Sequence, residues 1–113
     1  MTKGQRKRLR ELAAVAHERD LGVELTALEG DFRRWRDRAI TAFDLSDRIH
    51  AFHQGPSRKL FTIYDTGGID IAVAGAIARG VISEVEAGPD MVNLLATRIA
   101  FFRHEGGEGQ SSR

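Results

Sequence analysis

One segment of the sequence constrains the fold more than any other. Residues 69–79 carry an apolar side chain at almost every position, and a helix that is apolar on all sides is normally buried at the centre of a domain. The β-branched residues would also suit a strand, but the alanines, Asp70 at the start and Arg79-Gly80 at the end favour a helix. We therefore predict a central helix over about 69–79.

The remaining apolar residues recur at helical spacing, and no pair of alternating strands is visible. We predict an all-α fold, an irregular array of five to seven short helices around the central apolar helix. A chain of 113 residues suits one domain, which we place at 1–104. The segment 105–113 is rich in Gly and Ser and has no apolar residue, so we predict a disordered tail.

Two helical patterns share the first forty residues. The first begins at the cap Thr2 and runs to about Asp20, with Leu9 and Ala16 on its apolar face. The second follows a heptad-like seam over 21–39. Because the two apolar faces lie on roughly opposite sides and Gly22 disfavours a helix interior, we predict a break near Gly22. The alternative is a continuous helix that is covered on both sides.

Further helix limits follow from caps and breakers. Asp44 or Ser46 is expected to cap a helix that Gly55-Pro56 ends, and Pro56 then suits the first turn of the next helix. That helix stops before Gly67-Gly68. Ser83 opens a short turn, and the last helix starts at Pro89 and ends at about Arg103 or His104.

Composition narrows the setting and the partners. The chain has no Cys, and no apolar run approaches the roughly 20 residues that span a bilayer. The basic N-terminus lacks the apolar core of a signal peptide. We therefore expect a cytoplasmic protein of a bacterial kind, with no membrane contact and no cofactor. Residues 1–59 hold 13 Lys or Arg and 9 Asp or Glu, whereas residues 60–113 hold 4 and 7, so the basic excess lies in the first half.

The densest chemical segment is 43–58. His50 and His53 are three residues apart on a helix and could share a metal ion with Asp47. With Ser57 and Arg58, the two histidines are also candidates for binding a ligand or an anion. The alternative is that the histidines form hydrogen bonds at a seam between helices. No motif for a catalytic nucleophile is present, so no catalytic residue is assigned.

Two surfaces suggest partners. In the first helix, Lys3, Arg6, Lys7 and Arg10 share one face and could contact phosphates of a nucleic acid.

The 21–39 seam, rimmed by arginines, is typical of a protein interface; its candidate residues are Leu25, Leu28, Phe32 and Trp35. Our leading hypothesis is a small helical interaction or regulatory module that binds a protein partner or a second copy of itself. The alternatives are nucleic-acid binding through the basic helix, and a metal-dependent or acid–base enzyme centred on Asp47, His50 and His53.

Overall fold

The computed structural model describes the backbone of residues 1–111 and the side chains of residues 1–105. Within this part of the chain every regular element is a helix, which confirms the predicted all-α class. The α-helices are α1 (Lys3–Arg36), α2 (Ala42–Phe52), α3 (Arg58–Phe61), α4 (Ile69–Ala78), α5 (Glu84–Ala87), α6 (Pro89–Leu94) and α7 (Ala96–Ser111). Two π-turns, His53–Ser57 and Thr62–Thr66, precede and follow α3.

Helix α1 is continuous over 34 residues, so the predicted break near Gly22 is wrong. Thr2 caps it as expected, accepting a hydrogen bond from the Gln5 N–H at 3.0 Å. The apolar face does shift along the helix, because α4 packs against α1 and so does α2. All of its fully buried residues lie before position 17. The two apolar patterns of α1 are therefore covered by different helices on different sides, and no kink is needed.

The chain also stays helical through Pro56, where a helix end was predicted. Proline has no N–H to donate and its ring clashes with the carbonyl four residues earlier in an α-helix. The π-turn His53–Ser57 contains Pro56, and its wider hydrogen-bond spacing is a known way to accommodate such a disruption. The N-terminal cap of α2 differs as well: Thr41 is the capping residue, and Asp44 reciprocates by accepting from the Thr41 N–H at 3.0 Å.

Helix α4 lies at the centre of the core, as the apolar segment predicted. It packs against both α1 and α7, and Val73, Ala74 and Ala76 are completely buried. The burial is not uniform, since Ile71 remains about half exposed. Other core side chains come from α1, the second π-turn and the C-terminal helices: Leu9, Leu12, Ala13, Ala16, Tyr64, Ile82, Ala87, Met91, Leu95 and Ile99.

Charged hydrogen bonds fasten α5 to α1. Arg19 donates to both carboxylate oxygens of Glu86, at 2.6 and 2.7 Å, and to the Val81 carbonyl at 2.8 Å. Arg8 donates to the Glu86 carbonyl at 2.8 Å. Ser83 caps α5 by accepting from the Glu86 N–H. These contacts bring the short C-terminal helices onto the first half of α1.

The predicted last helix is two helices, α6 and α7, which meet at Leu95. Helix α7 runs to Ser111, so the predicted end at Arg103 or His104 is too early. The disorder predicted for 105–113 stays a prediction; residues 112 and 113 lie outside the described residues. Of the helices described, none is by itself long and apolar enough to cross a membrane, and one bent pair, Ala42–Thr66 with Ile69–Ala78, meets the length and composition requirements together.

The molecule is elongated because part of it projects from this core. Its radius of gyration is 17.2 Å, against about 13 Å for a compact domain of this size. The projecting part, which we call the arm, consists of residues 21–36 of α1 and helix α2. Leu45 is its only fully buried residue. The arm is therefore a two-helix hairpin with a thin core.

We expect Gly22→Ala to raise the free energy of unfolding by about 1 kcal/mol, because alanine is favoured over glycine in a helix interior. A methyl group at Gly22 would meet no atom within 4 Å, so nothing opposes this gain. Urea denaturation followed by circular dichroism measures it.

The matched control is Gly80→Ala. Gly80 has a φ of 80° and equally open surroundings, so alanine there is strained and should lower stability. A loss of stability in Gly22→Ala would contradict the continuous α1.

Candidate functional site

The predicted metal ligands Asp47, His50 and His53 are all exposed on α2 and the first π-turn. No group of three or more His, Cys, Asp or Glu residues that could hold a metal ion is found in the described part of the chain. The structure also gives the two histidines no hydrogen-bond partner among those residues, so the expected seam contacts are not seen. The enzyme hypothesis built on these residues stays a prediction.

The ligand candidates Ser57 and Arg58 lie where the first π-turn meets α3. Ser57 is half buried, and its side chain caps no backbone amide. Arg58 donates to the Gln54 side-chain oxygen at 3.2 Å. Arg58 therefore interacts locally along the helix, and it does not converge with His50 and His53 on a common site.

The basic candidates Lys3, Arg6, Lys7 and Arg10 are exposed on the first turns of α1. None of them forms an ion pair within the described residues. This contrasts with eight arginines that pair with carboxylates: Arg8, Arg19, Arg33, Arg34, Arg48, Arg79, Arg98 and Arg103. Four of the cations that form no ion pair among the described residues therefore lie together on the first turns of the long helix.

The four interface candidates are on the arm, and none of them is fully buried. Leu25 and Trp35 are 47% and 42% exposed, and Leu28 and Phe32 are half buried. Helix α2 is fastened on one side, where Arg48 donates to Asp31 at 2.8 Å.

A cavity of about 260 Å³ accompanies this contact between the two helices of the arm. Its lining is Glu24, Ala27, Leu28, Asp31, Arg48, Ala51, Phe52 and Pro56.

The side of α1 away from α2 carries a distinct set of residues, which we call the outer strip: Glu18, Gly22, Leu25, Glu29, Phe32 and Arg36. Glu18 and Arg36 are separated by 18 residues, which is five turns of an α-helix, and the others fall within about 40° of the line that joins them. Ala27, which faces α2, lies on the opposite side of the helix. The outer strip therefore lies on the side of α1 that is turned away from α2.

Of the three charged residues of the outer strip, one forms an ion pair with a described residue and two do not. Glu18 and Arg36 are exposed and form no ion pair with any described residue, whereas Glu29 accepts from Arg33 at 3.4 Å. The strip consequently has an unpaired acid at one end, an unpaired base at the other, and the apolar Leu25 and Phe32 between them.

A second cluster, not foreseen from the sequence, joins α1, the second π-turn and the end of α4. The Tyr64 hydroxyl donates to Asp20 at 2.6 Å. Arg79 donates to the two oxygens of Asp20 at 3.2 and 3.1 Å and to the Tyr64 oxygen at 3.2 Å. The His17 ring stacks on the Tyr64 ring, with centroids 5.3 Å apart.

Burial and the contacts within the cluster shift the pKa values of Tyr64 and Asp20. Burial raises the pKa of Tyr64 to about 12, and the hydrogen bond to Asp20 and the charge of that carboxylate add to the shift. Burial also acts on Asp20 and by itself would raise its pKa, but the hydrogen bonds from Arg79 and Tyr64 outweigh it and leave the pKa lowered. At neutral pH Tyr64 is thus a protonated donor, and Asp20 is an ionised acceptor.

A groove of about 590 Å³ runs beside this cluster. Tyr64 and Arg79 line it together with apolar residues and with Lys59 and Glu24. Because Asp20 already accepts from both Tyr64 and Arg79, the polar groups satisfy one another. Chemically the cluster is a clasp that holds α1 to α4, and it contains no activated nucleophile.

The sequence could not have located this clasp, because its members are 44 and 15 residues apart along the chain and follow no motif. One signal was present in the sequence: Tyr64 lies at helical spacing from the apolar Leu60, which favours burial, and a buried tyrosine hydroxyl usually finds a partner. The identity of that partner depends on the packing of α1 beside α4.

Comparison with protein-family models, with curated proteins and with solved structures finds no significant match to this chain.

Tyr64 is the only tyrosine in the chain, so the absorbance of tyrosinate reports this residue alone. We expect a midpoint at about pH 12 in the folded protein, against 10.0 for an unperturbed tyrosine. Since the folded state holds the proton more tightly, the associated stability is present below pH 10 and is lost as pH rises toward 12.

The Asp20→Asn variant should lower this midpoint, because it removes the carboxylate that accepts from the hydroxyl. Circular dichroism on the same samples establishes that the chain is folded, and a titration in denaturant gives the reference. Equal midpoints for folded and denatured chains would rule out the buried clasp.

Proposed function

We propose that this protein is a small helical interaction module, without catalytic activity of its own, that binds another protein chain through the outer strip of the arm. The proposal places the protein in the cytoplasm, a setting with which the absence of cysteine agrees. The observation that carries the proposal is the arm itself: a helical hairpin that projects from the core with apolar side chains left open.

The composition of the arm supports this role. Interfaces are centred on a few aromatic and apolar anchors surrounded by polar residues. On the outer strip, Leu25 and Phe32 lie between the charged residues Glu18 and Arg36, and Trp35 of the arm is 42% exposed. Complete burial of one such apolar side chain contributes about 1.5–3 kcal/mol, so a partner that covers the strip gains appreciable free energy.

The division of the molecule into a core and an arm also supports the proposed role in binding. Ion pairs fasten the helices of the core to one another, within the clasp and between Arg19 and Glu86. The arm adds little to this core, since only Leu45 is fully buried within it. Exposed apolar surface that contributes little to folding marks a site of interaction in a protein that remains monomeric or assembles reversibly.

A photo-activated crosslinker placed at Leu25 tests the proposal. We expect discrete crosslinked species in cells that express the protein, because position 25 lies inside the interface. The matched control places the crosslinker at Val85, which is 92% exposed on α5 and remote from the arm. The same pattern at both positions, or none at Leu25, contradicts the proposal.

A second candidate function is binding of nucleic acid through the N-terminal end of α1. The specific observation in its favour is the set of four exposed cations, Lys3, Arg6, Lys7 and Arg10, that lack ion pairs within the described residues. Side chains of this kind contact phosphates and release counterions, which makes the affinity depend steeply on salt. No aromatic residue accompanies these four residues for stacking on bases, so contact would be with the backbone.

A gel shift at low salt tests this candidate. We expect the double variant Arg6→Ala, Arg10→Ala to weaken binding and to reduce the slope of log affinity against log salt by about 2. The control removes the same charge elsewhere, by Arg33→Ala with Lys59→Ala, and should leave the slope unchanged. If the unmodified protein gives no shift, nucleic-acid binding is excluded.

A further inference from the structure

We propose that the chain bound by the outer strip is a second copy of this protein, packed antiparallel along α1 about a two-fold axis at the level of residue 27. This inference depends on the proposed function, because it specifies the partner for the same surface. It follows from the order of the residues along the outer strip. When a second copy lies antiparallel, the acidic end of each strip meets the basic end of the other.

Charge complementarity is the first argument. Glu18 and Arg36 lie on one line, five turns and about 27 Å apart, and neither has an ion pair among the described residues. In an antiparallel pair centred at residue 27, Arg36 of each copy lies beside Glu18 of the other. A two-fold axis repeats every contact, so one pairing rule satisfies four charges. A parallel pair would instead bring like charges together at both ends.

Shape is the second argument. In the same arrangement Phe32 of each copy lies beside Gly22 and Leu25 of the other. Gly22 is exposed, and a Cβ atom added there would meet nothing within 4 Å. This leaves a shallow gap between the side chains of the strip. An aromatic ring can enter such a gap as a knob enters a hole between neighbouring helical turns.

Access is the third argument. Helix α2 is fastened to α1 through Arg48 and Asp31, and the clasp attaches α4 through Asp20. By helical spacing, both attachments lie on the sides of α1 turned away from the line between Glu18 and Arg36. A second copy can therefore approach along the outer strip without displacing a described contact.

The test is the dissociation constant of the full chain, measured by native mass spectrometry and by light scattering over a range of concentrations. Glu18→Lys and Arg36→Glu should each weaken the dimer by about tenfold, because each puts like charges together at both ends of the interface. An equimolar mixture of the two variants should recover the dimer, since each then supplies the charge that the other lacks.

Asp47→Lys is the matched control. It makes the same change of charge on α2, away from the strip, and should leave the dissociation constant unchanged. Gly22→Leu is a second variant: it fits the open space in one copy but fills the gap needed by Phe32, so it should weaken the dimer while circular dichroism shows an intact helix.

A monomer at every concentration, or a failure of the mixed variants to associate, overturns the inference. If crosslinks from Leu25 then join this chain to a different protein, the proposed function survives and only the identity of the partner is wrong. If Leu25 gives no crosslink at all, both proposals fail.

Discussion

The structure depends on the burial of α4 between α1 and α7. Val73, Ala74 and Ala76 are completely buried and Ile77 nearly so, and the ring of Phe102 lies close to Gly75. Small side chains allow the neighbouring helices to approach α4 closely, while Leu12 and Ile82 fill the remaining space. Because this packing uses only the first half of α1, the second half packs against α2 instead.

Polar contacts then fix the order of the helices around α4. The clasp of Asp20, Tyr64 and Arg79 attaches α1 to the end of α4, and the pair of Arg19 with Glu86 attaches α1 to α5. Both anchors lie within one turn of each other on α1, directly after its buried residues. The arm begins where these contacts stop, and the outer strip, which runs from Glu18 beside the anchors to Arg36 on the arm, has an unpaired charge at each end.

The features that sequence predicted correctly are those that local chemistry determines. Thr2 caps α1 because its hydroxyl satisfies a free amide, and the apolar run at 69–79 becomes the central helix. The errors occurred where tertiary contacts outweigh local preference. Gly22 weakens a helix on average, yet α1 continues through it, and Pro56 ends most helices, yet a π-turn accommodates it. The same contrast holds for the candidate site. The helical spacing of apolar residues identified Leu25 and Phe32, whereas the clasp depends on how α1 packs beside α4, which no spacing in the sequence indicates.

The length of α1 has a consequence for how the molecule unfolds. Its first half belongs to the densely packed core, and its second half belongs to a hairpin with one fully buried residue. Local opening costs least where few apolar contacts are lost. A single helix therefore contains two regions of different cooperativity, with backbone amides that exchange slowly before the clasp and quickly toward Arg36. A partner that covers the arm would slow the exchange of backbone amides toward Arg36 and so remove this difference in exchange rate. Slower amide exchange in the second half of α1 would therefore measure binding.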